Sequence, residues 1–221
     1  MDAYAGLPTL TPLPTAAERA AEVIREGIFQ GRFRPGAALT EAALAKALSV
    51  SRNTVRESFR TLIGDHLLEY TAHKGVTVSR PSKEDVADIY QVRRTLELAA
   101  LDLVTAGQTT VDGPGLETAV AAGRDAAAAG DWVRAGTANL TFHARIVALH
   151  ASPRLDEFFR HLMTEMRLGF LAVDDARALH EPYLKLNAQI CAALVRSEVA
   201  AARQMLDRYL TAARDQIMAA V

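Results

Sequence analysis

The sequence predicts a mainly α-helical protein: an N-terminal winged helix-turn-helix with a small β-hairpin as its wing, followed by a C-terminal all-helical bundle. From residue 15 onward, apolar residues recur at helical spacing along most of the 221-residue chain. The exception is a pair of short apolar runs, 67–70 and 76–78, on either side of the basic turn Ala72-His73-Lys74-Gly75. Two such runs around a turn that contains glycine indicate a hairpin.

The chain before the helix-turn-helix is predicted to contain a tail and one helix. Residues 1–14 contain three prolines and show no periodicity, so they are expected to form a flexible tail. Thr15 is the expected cap of a helix from Ala16 to about Gln30. The apolar residues of this helix that are expected to pack against the rest of the domain are Ala20, Val23, Ile24 and Ile28.

A helix-turn-helix is predicted next. Thr40 caps a helix that ends at Leu48, residues 49–51 form a tight turn, and a second helix runs from Arg52 to about Asp65. Together with the first helix and the hairpin, these elements make up a first domain that spans residues 15–80.

The second of these helices has a polar face that suits DNA. A helix N-terminus offers unpaired N–H groups and partial positive charge, and arginine side chains beside it add to that field. The alternative is an ordinary solvated helix face, but a helix, a turn, a second helix and a basic hairpin in succession favour DNA. The candidate DNA-binding residues are Arg34, Thr40, Ser51, Arg52, Asn53, Thr54, Arg56, Arg60, Lys74 and Gly75.

The distribution of charge supports a DNA-binding N-terminal domain. The whole chain has a formal net charge of −1. Residues 30–80, however, contain 8 basic and 4 acidic side chains, whereas residues 81–221 contain 15 basic and 18 acidic ones. Positive charge is therefore concentrated in the predicted helix-turn-helix and wing.

The same stretch resembles the DNA-binding domain of the GntR family of bacterial transcription regulators. The shared residues are Leu39-Thr40-Glu41, Leu44-Ala45, Leu48, Val50-Ser51-Arg52, Val55-Arg56-Glu57 and Leu62, with the wing glycine at Gly75. The resemblance implies that Arg52 and Arg56 contact DNA and that Lys74 lies at the tip of the wing. The chain departs from the family at Asn53-Thr54, where Thr-Pro is usual, and at His66, where glycine is usual. His66 is therefore expected to adopt a left-handed backbone conformation.

Residues 81–221 are predicted to form the second domain, which is helical throughout. Pro81 marks the boundary and Ser82 caps the first helix. The predicted helices run from Lys83 to about Ala106, Leu116 to Ala129, Trp132 to His150, Arg154 to about Leu179, Tyr183 to Arg196, and Glu198 to Ala220, with breaks that include Gly113-Pro114-Gly115 and Glu181-Pro182. Six consecutive helices predict a bundle.

This second domain is similar to the FCD effector-binding domain of the FadR-type branch of the GntR family. The residues that carry the similarity are Ile89-Tyr90-Gln91-Val92-Arg93, Leu96-Glu97, Asn139, Phe142-His143, Pro153, Leu155, Ile190 and Ala193-Leu194. Many such domains bind a small carboxylate metabolite through a divalent metal that one Asp or Asn and three His hold. Here Asn139 and His143 match two of those ligands, but Asn187 and Tyr209 stand where the other two histidines are expected.

This departure predicts the absence of a metal. One imidazole, two neutral amides and a phenol are a poor ligand set for Zn²⁺, so no divalent metal and no other cofactor is expected. His143 is then a core histidine that forms a hydrogen bond with Asn187 or Tyr209. It is a ligand only if the helical register differs and His150 or His180 completes the site.

The polar residues of the bundle nevertheless predict an effector pocket. Arg93 lies on the apolar face of its helix, and its guanidinium requires a carboxylate that belongs either to Glu97 or to an effector. Polar groups in a bundle interior also need partners, which a ligand can supply. The candidate effector-binding residues are Arg93, Asn139, His143, Asn187 and Tyr209, and the expected effector is a small organic acid or a similar polar metabolite.

Together these features predict a DNA-binding transcriptional regulator that is a homodimer on a palindromic operator and whose affinity a small-molecule effector changes. The alternatives are a helical-bundle metalloenzyme and a dimerisation scaffold that does not bind DNA. No catalytic motif is evident, and the single cysteine, Cys191, lies in an apolar helix, so enzymatic activity is not expected. A single cysteine and the lack of an apolar run of about 20 residues predict a cytoplasmic protein that does not contact membranes.

Overall fold

The computed structural model describes residues 13–221, so the expected tail lies almost entirely outside the described residues. The N-terminal domain contains α1 (Ala16–Phe29), β1 (Ala38–Leu39), α2 (Glu41–Leu48), α3 (Arg52–Gly64), β2 (Leu68–Thr71) and β3 (Gly75–Val78). The C-terminal domain contains α4 (Lys83–Thr105), α5 (Gly113–Ala128), α6 (Trp132–Val147), α7 (Pro153–Ala172), α8 (Ala176–Val195) and α9 (Val199–Met218), with a 3₁₀ turn at Ala148–His150. The predicted fold class, mainly α with a winged helix-turn-helix and a helical bundle, is confirmed.

Side-chain caps set the starts of the helices where the sequence predicted them. Thr15 and Glu18 form a reciprocal capping box at α1, in which the Glu18 N–H donates to Thr15 Oγ1 at 3.1 Å. Thr40 caps α2 and Ser51 caps α3. Ser82 caps α4, again with a reciprocal box. Each cap satisfies N–H groups that the first turn of a helix leaves without partners.

The N-terminal domain packs α1 against α3 and closes with a three-stranded sheet. The strand order is β1-β3-β2, so the predicted hairpin gains the short strand Ala38–Leu39, whose two residues are too few to show periodicity. Ile24 and Ile28 of α1 are fully buried, as expected. The prediction for Val23 is wrong, because its side chain is 54% exposed.

The C-terminal domain is a bundle in which α6 is central, since it contacts α4, α5, α7 and α8. Two predicted helix boundaries are wrong. Residues 113–115 form the first turn of α5 rather than a break, with Asp112 as the cap. The break between α7 and α8 lies at residues 173–175, and Pro182 is inside α8.

A contact to α9 explains why Pro182 does not end α8. A proline lacks the N–H that would bond to the carbonyl four residues earlier, here that of Ala178. Gln216 Nε2 of α9 donates to that carbonyl at 3.2 Å instead. The Tyr183 hydroxyl in turn donates to Gln216 Oε1 at 2.7 Å. The orphaned carbonyl therefore has a partner that is distant in sequence.

The two domains are in contact through α1 and α7. Leu168 of α7 is fully buried and belongs to the apolar core of the N-terminal domain. Arg160 of α7 forms an ion pair with Glu22 of α1, with 2.7 Å between Nη1 and Oε1. Within residues 13–221, no helix has both the length and the apolar composition that crossing a membrane requires.

Candidate functional site

The N-terminus of α3 exposes two polar side chains that are free to contact a partner. The Ser51 hydroxyl accepts a hydrogen bond from the Thr54 N–H at 3.0 Å and lies 2.8 Å from Thr54 Oγ1. Those two hydroxyls are therefore engaged in capping the helix. Arg52 and Asn53 lie between them in the sequence and are both exposed. Among the predicted residues at this end, they are the best placed for contacts to bases or phosphates.

Arg56 and Arg60 of α3 have carboxylate partners. Arg56 Nε and Nη2 donate to the two carboxylate oxygens of Glu41, each at 2.8 Å, and this pair ties α3 to the start of α2. Arg60 pairs with Glu57 at 2.6 Å. The Arg56 side chain is still 52% exposed, so it lies at the surface, but DNA contact would compete with Glu41.

The wing has the backbone conformation that its sequence predicts. His73 and Gly75 both have positive φ, 67° and 79°, and no other atom lies within 4 Å of the position of a Cβ on Gly75. Lys74 is exposed between them. Arg34 is also exposed, in the connection between α1 and β1. The expected left-handed conformation of His66 is confirmed by its φ of 58°.

One exposed residue of the wing was missed from the sequence. Tyr70 on β2 belongs to one of the two apolar runs that predict the hairpin, and it is 69% exposed. Alternation gives no signal for this exposure, because Tyr70 is on the same face of β2 as the buried Leu68 and is exposed only because it lies two residues further towards the basic turn. An exposed tyrosine on the strand that leads into the basic turn can form a hydrogen bond to a phosphate or sugar oxygen.

The second site is a cluster of buried polar side chains inside the bundle. Arg93 and Glu97 of α4 are one helical turn apart and form an ion pair, with 2.9 Å between Arg93 Nε and Glu97 Oε1. His143 Nδ1 of α6 lies 2.6 Å from the other oxygen of the same carboxylate. All three residues are 0% exposed. The alternative left open for Arg93 is thus resolved, because its carboxylate partner belongs to the protein.

The prediction that His143 bonds to Asn187 or Tyr209 is wrong. Asn139 Oδ1 instead accepts a hydrogen bond from the Tyr209 hydroxyl at 2.8 Å and from Asn187 Nδ2 at 2.9 Å. Glu97, which lies 46 residues from His143 in the sequence, accepts the hydrogen bond from the imidazole N–H. The His143 ring still packs against the Tyr209 ring, with 4.8 Å between the centroids. The five predicted effector residues therefore lie together, with Glu97 as a sixth member.

Burial and the Arg93–Glu97 pair set the protonation states of the cluster. Burial opposes the charge of the Glu97 carboxylate, but the neighbouring His143 and Arg93 outweigh it and hold the pKa of Glu97 below its usual range. Burial lowers the pKa of His143, and Glu97 only partly opposes this. His143 is then neutral at pH 7, so Nδ1–H donates to Glu97 and Nε2 is an acceptor. Burial also raises the pKa of Tyr209, whose hydroxyl remains a donor.

Three atoms of this cluster are left without hydrogen-bond partners among residues 13–221: Arg93 Nη2, His143 Nε2 and Asn187 Oδ1. His150 and His180 do not join the cluster. His150 Nε2 bonds to the Leu96 carbonyl at 2.9 Å, and His180 packs against Phe170. In the described part of the chain, no group of three His, Cys, Asp or Glu side chains has an arrangement that could hold a metal ion.

Comparisons with known proteins agree with both halves of this description. Residues 16–78 match the family described as bacterial regulatory proteins, gntR family, and residues 88–212 match the FCD domain. A solved putative transcriptional regulator GntR from Rhodococcus sp. RHA1 has a TM-score of 0.85 and 38% identity over 93% of this chain and 98% of that one.

Two relatives known from sequence are also named as transcription regulators. The probable D-xylose utilization operon transcriptional repressor of Paenarthrobacter nicotinovorans is 29% identical over 174 residues, which is 76% of each chain. The uncharacterized HTH-type transcriptional regulator YdhC of Bacillus subtilis is 38% identical over 81 residues. That match spans 37% of this chain and only 36% of YdhC.

A winged helix-turn-helix joined to a helical bundle with a buried polar cluster defines a two-domain transcription regulator. The matches name the family: the chain belongs to the GntR family of bacterial regulatory proteins and carries an FCD domain. These domains and relatives indicate a regulator rather than an enzyme.

Proposed function

We propose that this protein is a homodimeric regulator that binds a palindromic operator in double-stranded DNA and whose affinity changes when a small polar metabolite occupies the buried cluster. The exposed end of α3, where Arg52 and Asn53 stand free beside a capped helix N-terminus, is the observation that carries the DNA-binding part. Phosphate contacts from the exposed Lys74 of the wing would add affinity that does not depend on sequence. Such a protein acts where the DNA is, in the cytoplasm.

Each chain has one α3, so one chain reads one half-site. Two chains related by a two-fold axis would read two half-sites of opposite orientation, and this is the reason to propose a homodimer and a palindromic operator. The Arg56–Glu41 pair holds α3 against α2, so the recognition helix is presented as a fixed unit.

The three buried atoms without partners support an effector at the cluster. An unpartnered buried polar group costs about 1–3 kcal/mol, so three of them favour a molecule that pairs with them. Arg93 Nη2 offers a donor, and His143 Nε2 and Asn187 Oδ1 offer acceptors. A metabolite with several hydroxyl groups can both donate to and accept from this set.

The charge of the cluster bears on the class of effector. Glu97 already neutralises Arg93, so Arg93 no longer gives a reason to expect the organic acid that the sequence favoured. A bound carboxylate would lie near that of Glu97 and would require His143 to gain a proton. A neutral hydroxyl-bearing metabolite avoids this cost, and one relative is named for the utilization of D-xylose, a neutral sugar.

We also propose that the cluster works without a divalent metal. Asn139 Oδ1 already accepts two hydrogen bonds, and the imidazole N–H of His143 is committed to Glu97. The remaining neutral amide and phenol groups are weak ligands for a transition metal. The acceptors of the cluster that have no partner among residues 13–221 are His143 Nε2 and Asn187 Oδ1, and one imidazole with one neutral amide is too small a set to hold a transition metal.

Fluorescence anisotropy with a duplex selected from random DNA tests the DNA-binding part. Wild type is compared with the Arg52→Ala/Arg56→Ala variant across a salt series. We expect wild-type affinity to fall steeply with salt and the variant to lose most of it. The Arg134→Ala/Arg208→Ala variant removes the same charge from exposed positions on the bundle and should bind as wild type does. If selection enriches no sequence and binding is independent of salt, the scaffold alternative is favoured instead.

A thermal-unfolding panel tests the effector part. Neutral sugars, polyols and their corresponding acids are screened against wild type and Asn139→Ala. A ligand of the cluster raises the unfolding midpoint of wild type, because it binds only the folded state. It should not raise the midpoint of the variant, in which the cluster is disrupted. If only acids act, the charge argument is wrong. If every compound that acts on wild type acts equally on Asn139→Ala, the cluster is not the site.

A further inference from the structure

Arg167 of α7 is a buried arginine without a carboxylate partner. Three arginines are buried in residues 13–221: Arg25, Arg93 and Arg167. Arg25 pairs with the carboxylates of Glu22 and Asp65, and Arg93 pairs with that of Glu97. Arg167 is 1% exposed, and no described residue forms an ion pair with it. A buried charge is normally paired, so this one needs an explanation.

The hydrogen bonds of Arg167 leave donors unused. Nη2 donates to the Val133 carbonyl at 2.7 Å and to Thr137 Oγ1 at 3.2 Å, both on the first two turns of α6. Nε is buried and has no partner among residues 13–221. The neutral acceptors satisfy part of the guanidinium but supply no negative charge.

The immediate surroundings of Arg167 do not neutralise its charge. Gly136 has no side chain where Arg167 Nη1 and His180 Nε2 approach, and each of these atoms lies 2.5 Å from the position that a Cβ on Gly136 would take. Burial, with a smaller contribution from Arg167, lowers the pKa of His180 to about 3. Burial lowers the pKa of Arg167 to about 10, and Asp131, the cap of α6, only partly opposes this. The site thus has a surplus of positive charge next to the N-terminal half of α6.

This position is a junction between the two domains. Gly31, which follows α1, has a φ of 74°, and a Cβ there would lie 3.7 Å from Arg167 Nη2. Leu168, which follows Arg167 on α7, belongs to the apolar core of the N-terminal domain. Arg167 therefore forms hydrogen bonds to the start of α6 and lies close to the loop after α1 and to His180 of α8.

We propose that Arg167 is the anchor of a second ligand site, which binds a small oxyanion, a carboxylate or a phosphate, where α1 meets α6, α7 and α8. The oxyanion accepts from the unused N–H groups of the guanidinium and supplies the missing negative charge. This site differs from the Arg93–Glu97 cluster, which begins one turn further along α6 at Asn139 and already contains its own carboxylate. Occupancy ties the DNA-binding domain to the bundle.

Thermal unfolding of the full chain tests this site. The probes are inorganic phosphate and acetate, each compared with chloride at matched ionic strength, and the two arms distinguish the two sources of oxyanion. We expect at least one of them to raise the unfolding midpoint of wild type by several degrees with a saturable dose dependence. Arg167→Met should show no such saturable rise, whereas Arg134→Met, which removes an exposed arginine from the same region of α6, should respond as wild type does.

Arg167→Met is expected to fold. The Val133 carbonyl keeps a hydrogen bond from the Thr137 hydroxyl at 3.2 Å, so removal of the guanidinium does not strand it. Replacement of a buried unpaired charge by an apolar side chain is often neutral or stabilising. A general salt effect moves all variants equally and is removed by subtracting the Arg167→Met curve.

Hydrogen exchange on wild type provides a test that does not depend on the variant. The oxyanion should slow amide exchange at residues 28–34 and 132–137 but not at the far end of the bundle. The proposal is overturned if neither anion acts beyond chloride, if Arg167→Met responds like wild type, or if protection is spread evenly over the chain. None of these outcomes depends on DNA binding, so they test this site separately from the regulator function.

Discussion

Replacing Glu97 by glutamine tests the central electrostatic feature of the bundle. The substitution keeps the shape of the side chain but removes its negative charge and replaces one of the two acceptor oxygens that face Arg93 and His143 by an amide NH2 group. Because Arg93 and Glu97 are both fully buried, the variant leaves the Arg93 guanidinium buried without a negative charge to pair with. Breaking such a pair typically costs about 3–5 kcal/mol, a large part of the roughly 5–15 kcal/mol by which folded domains are stable.

Urea denaturation at pH 7 measures this cost as a change in the free energy of unfolding. We expect Glu97→Gln to lose about 3–5 kcal/mol, and the exposed change Glu117→Gln on α5 to stay within about 0.5 kcal/mol of wild type. The double variant Arg93→Met/Glu97→Gln should recover about 2 kcal/mol or more, because it removes the stranded charge as well. If Glu97→Gln alone lies within about 1 kcal/mol of wild type, Arg93 is not held by this carboxylate and the reasoning fails.

Three further predictions concern pH, α8 and the wing. The pKa of His180 is about 3 when folded and about 6.5 when unfolded, so stability is lost as pH falls below 6.5, by about 2 kcal/mol at pH 5. Burial raises the pKa of Glu165 to about 7, so protonation of Glu165 adds stability as pH falls and partly hides the loss that His180 causes. The test is therefore a comparison: His180→Gln should lose less stability than wild type between pH 7 and pH 5. Gln216→Ala should lower the free energy of unfolding, measured in urea, by about 1–2 kcal/mol. The loss should be smaller in a Pro182→Ala background, because residue 182 then has a backbone N–H for the Ala178 carbonyl. Equal losses in both backgrounds would contradict the contact. Lys74→Ala should lower the slope of log affinity for DNA against log salt by about 1 without changing the preferred sequence, as anisotropy can measure.

The sequence predicted best those features that neighbouring residues determine. Thr15, Thr40 and Ser82 cap their helices as predicted, because a side-chain oxygen and an N–H two or three residues later are enough to start a helix. The left-handed His66 was also predictable, since its position in the family pattern is usually occupied by glycine.

Features that depend on distant partners were missed. The sequence predicts a break at Pro182, because the group that satisfies the Ala178 carbonyl, Gln216, is on another helix. His143 was assigned to the wrong neighbours because nothing in the sequence shows that Glu97 points towards α6. Arg167 carries the same sequence signal as Arg93, because Met163 and Phe170, at i−4 and i+3, place it on an apolar helix face, but its lack of a carboxylate partner is visible only in the structure.

The most direct test of the account is a measurement of coupling between the two domains. The affinity for the selected operator is measured with and without the metabolite found in the unfolding panel, and the affinity for the metabolite is measured with and without operator. The account predicts that both change by the same factor, about 5- to 150-fold, and that Asn139→Ala keeps operator binding but loses the change. A metabolite that binds at the cluster and leaves operator affinity unaltered would contradict it.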